Sequence, residues 1–394
     1  MRFTDESRRA RLAQRHGLHP DHRLAGPVAV AAAVVGLHAT EAATVHLSIA
    51  ARSNAGVDEV ERDLYADRTL VKQLAMRRTL WAFPRDALPA VWGSASARVA
   101  QQQRSQLERD LVRHGITDDP DGWLARARRA VLQRLSDGEV LSARQLRDEL
   151  PELAGRTTDL GGSKWQLADV PFAPRVLTWL GAEHLIVRGD NQGHWRLGRP
   201  GWTSMASWLG DDVPATPPER EAYAELVRRW LWSFGPGTEA DLLWWLGSSK
   251  SAVRAALADV DAVTVQLDCG GTGYLLPHDD EPDGPVTDWA ALLPTLDPTL
   301  MGWRQRDFYL DPALVPYLFD SNGNGGNTAW LNGRVVGCWV QNDDGTVRVL
   351  PARHLTRSEL ALLDIEAERL TAFLGGAVIS NVYASRMMKG EQLP

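Results

Sequence analysis

Two tandem runs of three capped or amphipathic helices, each followed by two short strands around a glycine turn, predict an α+β chain of tandem winged-helix (helix-turn-helix) units. A further observation adds a small β domain at the C-terminal end. The pair Asn332-Gly333 lies between two apolar runs, the strongest short signal for a hairpin. A chain of 394 residues exceeds one ordinary core. Four units are expected: 1–122, 123–212, 213–284 and 285–394.

Composition bounds the rest. With 44% hydrophobic and 24% charged residues the chain is globular. No apolar run reaches the ~18–20 residues of a membrane span, and the longest, 28–37, is broken by Gly36. Asp5 and Glu6 near the start do not fit a signal peptide. Cys269 and Cys338 have no zinc or redox spacing. A reducing cytoplasm, at the nucleoid, is the expected location; no cofactor and no metal are expected, and a monomer is.

Charge is uneven. Residues 1–134 hold 21 Lys+Arg against 15 Asp+Glu, and the remainder 22 against 35. An Arg-rich first third on an acidic body suits a polyanion held on one face, although Arg-rich helices are commonly just solvated. Lysine occurs only at Lys72, Lys164, Lys250 and Lys389, which leaves Schiff-base chemistry few candidates.

In chain order, residues 5–17 read as a short basic helix ended by Gly17. His16, His19 and His22 match no zinc spacing. Pro27 opens a helix leading to the Gly36-to-Val45 junction, and 44–52 reads as the next helix. Residues 67–76 look helical; 77–83 alternate polar and apolar like a strand. Arg77, Arg78 and Thr79 there suit phosphate contacts, or a solvated strand edge, and Trp81 is the tryptophan to test against DNA. Residues 86–115 are helical, with Gln101, Gln102 and Gln103 at the surface.

The first repeat has a helix at 123–135, a capping box at Ser142/Gln145, a helix at 174–183, and a hairpin of 184–188 with 194–197. After the Pro-rich linker 214–218 come a helix at 219–234, a cap at Thr238/Asp241, a third helix capped by Ser248 or Ser249, and strands 262–267 and 273–276. Beyond Pro285 lie the Asn-Gly hairpin, a strand at 346–350 and a helix capped by Thr356/Glu359; from Ser385 a mobile tail is expected. Most tryptophans, Trp230, Trp244 and Trp245 included, sit at helical spacing and read as core.

The junction admits two readings. If extended, His38 and Thr40 point to one side and can hold a water between them. If helical, Thr40 is an N-cap and Glu41 a first-turn acid that suits the dipole.

Three stretches carry a resemblance over nearly the whole chain: Gly36-Leu37-His38-Ala39-Thr40; the 292–309 segment Leu-Leu-Pro-Thr-Leu-Asp-Pro-Thr-Leu-Met-Gly-Trp-Arg-Gln-Arg-Asp-Phe-Tyr; and the Gly-rich 322–327 loop leading into Asn332-Gly333-Arg334-Val335-Val336-Gly337. The chain resembles the AlkZ-type tandem winged-helix DNA glycosylases, with the related YcaQ type. The resemblance implies three winged-helix units and a C-terminal small β-barrel lining a concave face for double-stranded DNA.

His38 stands where the AlkZ type has the first Gln of Gln-x-Gln and the YcaQ type the Gln of Gln-x-Asp; Thr40 stands at the second position. Arg78-Thr79-Leu80-Trp81 stands where the family often has Arg-Gly-Thr-Leu-His. The implied activity is monofunctional hydrolysis of the N-glycosidic bond of N7- or N3-alkylated purines. A cationic base leaves easily, so the enzyme must hold a water and stabilise an oxocarbenium-like state. A neutral His38, of ordinary pKa about 6.5, is expected to take the water's proton, with Thr40 as partner and Glu41 supplying negative charge. Arg304, Arg306, Asn322 and Asn324 are expected strand or phosphate contacts, or stabilise the β domain. Two alternatives are a non-catalytic winged-helix DNA-binding regulator or damage sensor, and a protein scaffold.

Overall fold

A computed structural model describes residues 2–158, 169–279, 281 and 283–391. The fold is mixed α+β, with helices and small sheets throughout.

The first and last described segments are tied into the body. Arg2–Phe3 runs parallel to Val263–Leu267, with Phe3 opposite Leu267. Thr4 then caps the helix Asp5–Arg15 by accepting from the Ser7 N–H. This is the expected basic helix, but its arginines turn inward. Arg11 bonds Asp279 and Asp283, Arg15 bonds Asp279, and the Arg8 guanidinium lies 3.5 Å from the Phe308 ring centre. These three arginines are therefore internal stitching rather than part of a polyanion face. Tail residues are not loose either: Ser385 and Met387 are buried, and the Asn327 N–H donates to Met388 Sδ. The expected mobile tail is corrected for residues 385–391; 392–394 lie outside the described residues.

The N-terminal unit centres on a three-stranded antiparallel sheet in the order Leu37–His38, Leu80–Pro84, Leu70–Leu74. The helix expected at 67–76 is instead the strand Leu70–Leu74. It pairs along its whole length, from Leu70 opposite Pro84 to Leu74 opposite Leu80. A helix there would leave one edge of the buried central strand Leu80–Pro84 unpaired. The second strand also starts later than expected, because Arg77 and Arg78 form the hairpin turn with φ of 54° and 61°. The helix Ala97–Arg113 follows.

Next comes Pro120–Arg134, Ala143–Glu149 and Ala173–Ala182, then the hairpin Ile186–Asn191 with Pro200–Ser204. The Ser142/Gln145 capping box is present. The second strand is not at 194–197, where the chain turns: the Leu197 N–H donates to the His194 carbonyl. Trp195 leaves the hairpin to pack by His46 and Phe373, while Trp202 and Thr203 take the buried strand positions. This unit has its own core around Leu124, Val176 and Trp179.

The same order recurs in Glu219–Phe234, Glu239–Leu246 and Lys250–Asp259, then Val263–Leu267 with Thr272–Leu275. Thr238/Asp241 is a full capping box, and Ser249 rather than Ser248 caps the third helix.

The C-terminal sheet has four antiparallel strands in the order Val347–Pro351, Arg334–Gln341, Thr328–Leu331, Ala290–Leu293. The expected barrel is not closed, since the two outer strands do not pair with each other. Four strands are too few to curl round a filled interior, and the helix Arg357–Leu374 buries Leu363, Leu370 and Leu374 against the sheet instead. Asn332 and Gly333 turn the hairpin with φ of 47° and 77°, as a primed turn requires.

Candidate active site

The junction is extended. After the helix Pro27–Ala33, Val35 turns with φ of 66°, and Gly36 crosses the Phe83 ring, where a Cβ would lie 2.6 Å from a ring carbon. Leu37 and His38 then pair with Ala82 and Trp81, and the Ala39 N–H donates to the Leu80 carbonyl at 2.8 Å. The next helix, Ala42–Ala50, begins two residues before the expected position. Its N-cap is Glu41, without a side-chain cap bond. Thr40 is thus not the cap of the helical reading. It lies just past the strand Leu37–His38, with its side chain turned to His38: Oγ1 is 3.4 Å from His38 Nδ1.

His38 is 2% exposed, with its ring centre 4.5 Å from that of Trp81. Burial, and next the charge of Arg77, lower its pKa to about 3. The expectation of a base poised near neutrality is corrected: the ring is neutral at working pH and a weak proton acceptor. The Glu41 carboxylate is committed elsewhere. Its Oε1 accepts the Val382 N–H at 2.7 Å, and burial raises its pKa against the lowering effect of the Val382 and Tyr383 N–H groups.

Trp81 is fully buried, its Nε1 donating to Thr79 Oγ1 at 2.9 Å, while Thr79 Oγ1 donates to the Met76 carbonyl. Trp81 is therefore not free to touch DNA, which corrects that expected contact, while Thr79 is partly exposed. Trp81 fills the sheet's underside against Trp245, and Thr79 closes the hairpin turn.

The hairpin turn aims Arg77 at Trp244. Its guanidinium carbon is 4.0 Å from that ring centre, while that of Arg306 is 5.0 Å from the same ring centre and 4.5 Å from that of Phe319. Arg77 Nε and Nη2 are buried without a hydrogen-bond partner. Burial and then Arg306 lower the Arg77 pKa to about 10, so it stays charged. Trp244 was not singled out in the sequence beyond the core. The usable signal was the adjacent pair, since neighbouring helical residues diverge and buried Trp245 sends Trp244 outward.

Arg77 and Arg78 line a cleft of about 730 Å³ with Arg98, Arg109, Gln101 and Gln102. None of these four arginines forms a salt bridge among the described residues. Arg98 and Arg109 lie within a long polar helix, where no local feature distinguishes an arginine facing a cleft from one facing water.

Arg304 is exposed, and its backbone N–H donates to Asp241 Oδ1. Arg306 donates Nε to the Trp303 carbonyl. In the Gly-rich loop Asp320 accepts the Asn322 and Asn324 N–H groups. The Asn324 amide also donates to Asp320, so it is held inside the loop, whereas Asn322 is exposed. Tyr383 feels the charges of Glu41 and Asp320, so this loop, the tail and the junction adjoin.

Lys72 has its pKa lowered to about 8 by burial, as an amine nucleophile needs. It pairs with Ala82 while Gln73 pairs with Trp81, so it projects from the face opposite His38, and its Nζ donates to the Tyr65 hydroxyl. Lys164 lies outside the described residues. Among the described residues no three His, Cys, Asp or Glu side chains group to hold a metal, and no helix is long and apolar enough to cross a membrane.

A family model described as DNA glycosylase AlkZ-like matches residues 31–373. Among solved structures, the chain is similar to Streptomyces sahachiroi DNA glycosylase AlkZ, at 22% identity and a TM-score of 0.76, covering 96% of this chain and 99% of that one. No curated protein matches the chain.

Proposed function

The chain belongs to the AlkZ-like DNA glycosylase family, and on that premise we propose that it binds duplex DNA and hydrolyses the N-glycosidic bond of purines alkylated at N7 or N3. The units 1–122, 123–212 and 213–284 are read as winged helices, with 285–394 closing the DNA face and the protein acting in the cytoplasm at the nucleoid. The single observation carrying the catalytic reading is the 3.4 Å approach of Thr40 Oγ1, just past the strand Leu37–His38, to His38 Nδ1.

With the imidazole proton on Nδ1 and donated to Thr40, the Nε2 lone pair is left to a water. That nitrogen has no hydrogen-bond partner among the described residues. The water attacks the anomeric carbon as the carbon–nitrogen bond breaks. The bonding pair neutralises the cationic ring, and the water's proton leaves through Nε2 to solvent. A leaving group already charged needs no acid, and the oxocarbenium carbon needs a placed water more than a strong base. A neutral imidazole of low basicity suits that task. The cleft arginines, without salt bridges among the described residues, supply the phosphate contacts.

A second reading, duplex binding without base release, draws on the 2% exposure of His38. The test is incubation with DNA carrying 7-methylguanine and assay for free base. Release that disappears in His38→Ala, with DNA binding kept, is expected. Binding without release from the wild type selects the second reading.

A further inference from the structure

We propose that Val382 is an apolar wedge that enters the base stack of bound duplex DNA beside the His38–Thr40 pair, and that Glu41 holds it there. The inference rests on the DNA-binding part of the reading above. Val382 is the most exposed large apolar side chain among the described residues, at 80%. A single exposed valine is ordinary; this one is carried on anchored backbone beside Glu41. Its N–H donates to Glu41 Oε1 at 2.7 Å, and the next N–H, of Tyr383, meets the same carboxylate. Upstream, the Ile379 N–H donates to Gln341 Oε1 at 2.9 Å, and Asn381 Oδ1 accepts from Thr295 Oγ1 at 3.3 Å. Downstream, Ser385 is buried.

The loop is thus fixed on both sides of Val382 while its isopropyl group stands in solvent. Glu41 follows Thr40 directly, so the anchor places that group next to the candidate active site. Reaching a base for chemistry means unstacking it, and an apolar side chain in the gap offsets part of that cost. A β-branched valine has little side-chain freedom to lose on insertion.

The test uses a short duplex with one 7-methylguanine beside 2-aminopurine, whose fluorescence rises when it unstacks. Saturating wild-type protein is expected to raise it. Val382→Gly and Val382→Asp should lose the rise while still binding, Val382→Leu should keep it, and Glu41→Gln should weaken it. A wild-type rise in Val382→Gly, or none with the wild type, overturns the wedge. The catalytic reading fails separately: a rise that depends on Val382 with no free base released leaves the wedge standing and removes the hydrolysis.

Discussion

The guanidinium carbon of Arg77 lies 4.0 Å from the ring centre of Trp244, and two of its nitrogens have no hydrogen-bond partner. The ring holds the cation, but no acceptor neutralises it. Swinging off the indole into the adjoining cleft, it can meet a phosphate. Arg77→Ala is expected to weaken duplex binding about equally for all sequences and to reduce the slope of log K against log salt by about 1. Anisotropy titrations over a salt series measure this; an unchanged slope assigns Arg77 to the fold alone.

The neutral state of His38 makes a separate prediction. Its pKa of about 3 means that base release carries no His38 inflection near the ordinary value of about 6.5. His38→Gln, another neutral acceptor, should retain more release than His38→Ala. Arg77→Ala should raise the His38 pKa, because a like charge is removed. Single-turnover rates against pH and NMR titration of the imidazole check these; an inflection near the ordinary value that vanishes in His38→Gln contradicts them.

Stability should fall with acid. Besides His38, His16 is buried, bonded to Thr299 Oγ1 at 2.8 Å and the Ser233 carbonyl at 2.9 Å, with its pKa lowered to about 3 chiefly by burial. Both are neutral in the fold. The unfolded chain takes up protons below about 6.5 while the folded one does not, so stability is fully present above that pH and declines toward about 3. The loss is on the order of a few kcal/mol per histidine. Urea denaturation at a series of pH values should show it, with a shallower decline in His16→Gln.

Asp297 and Arg52 form an ion pair of 2.6 Å with both side chains at 0% exposure. Ser48 and Thr299 complete the network, which fixes the helix Ala42–Ala50 behind the candidate site. Asp297→Asn leaves the guanidinium charge uncompensated and should destabilise by about 3–5 kcal/mol. The urea midpoint is the measurement, and an unchanged value sinks the prediction.

Features set by neighbours in sequence were legible without coordinates. The boxes at Ser142/Gln145, Thr238/Asp241 and Thr356/Glu359 each close between residues three apart, and the Asn332-Gly333 turn needs only its own backbone. The strand Leu70–Leu74 was missed because its apolar spacing fits helix and strand alike, and only its partner Leu80–Pro84 decides. Expecting Trp81 at the DNA failed because indoles of core and surface read the same until the sheet's underside is known.

The amino-acid order alone determined the capped helices of the two repeats and the Asn332-Gly333 hairpin, the motifs that carry the family likeness, and the adjacency of His38, Thr40 and Glu41. Tertiary structure decided what each of those groups can do. Arg11 meets Asp279 and Glu41 meets Val382 across most of the chain, contacts that no local pattern encodes. The charge state of His38 follows from the same cause: desolvation and the field of Arg77 are properties of the folded surroundings, not of the imidazole.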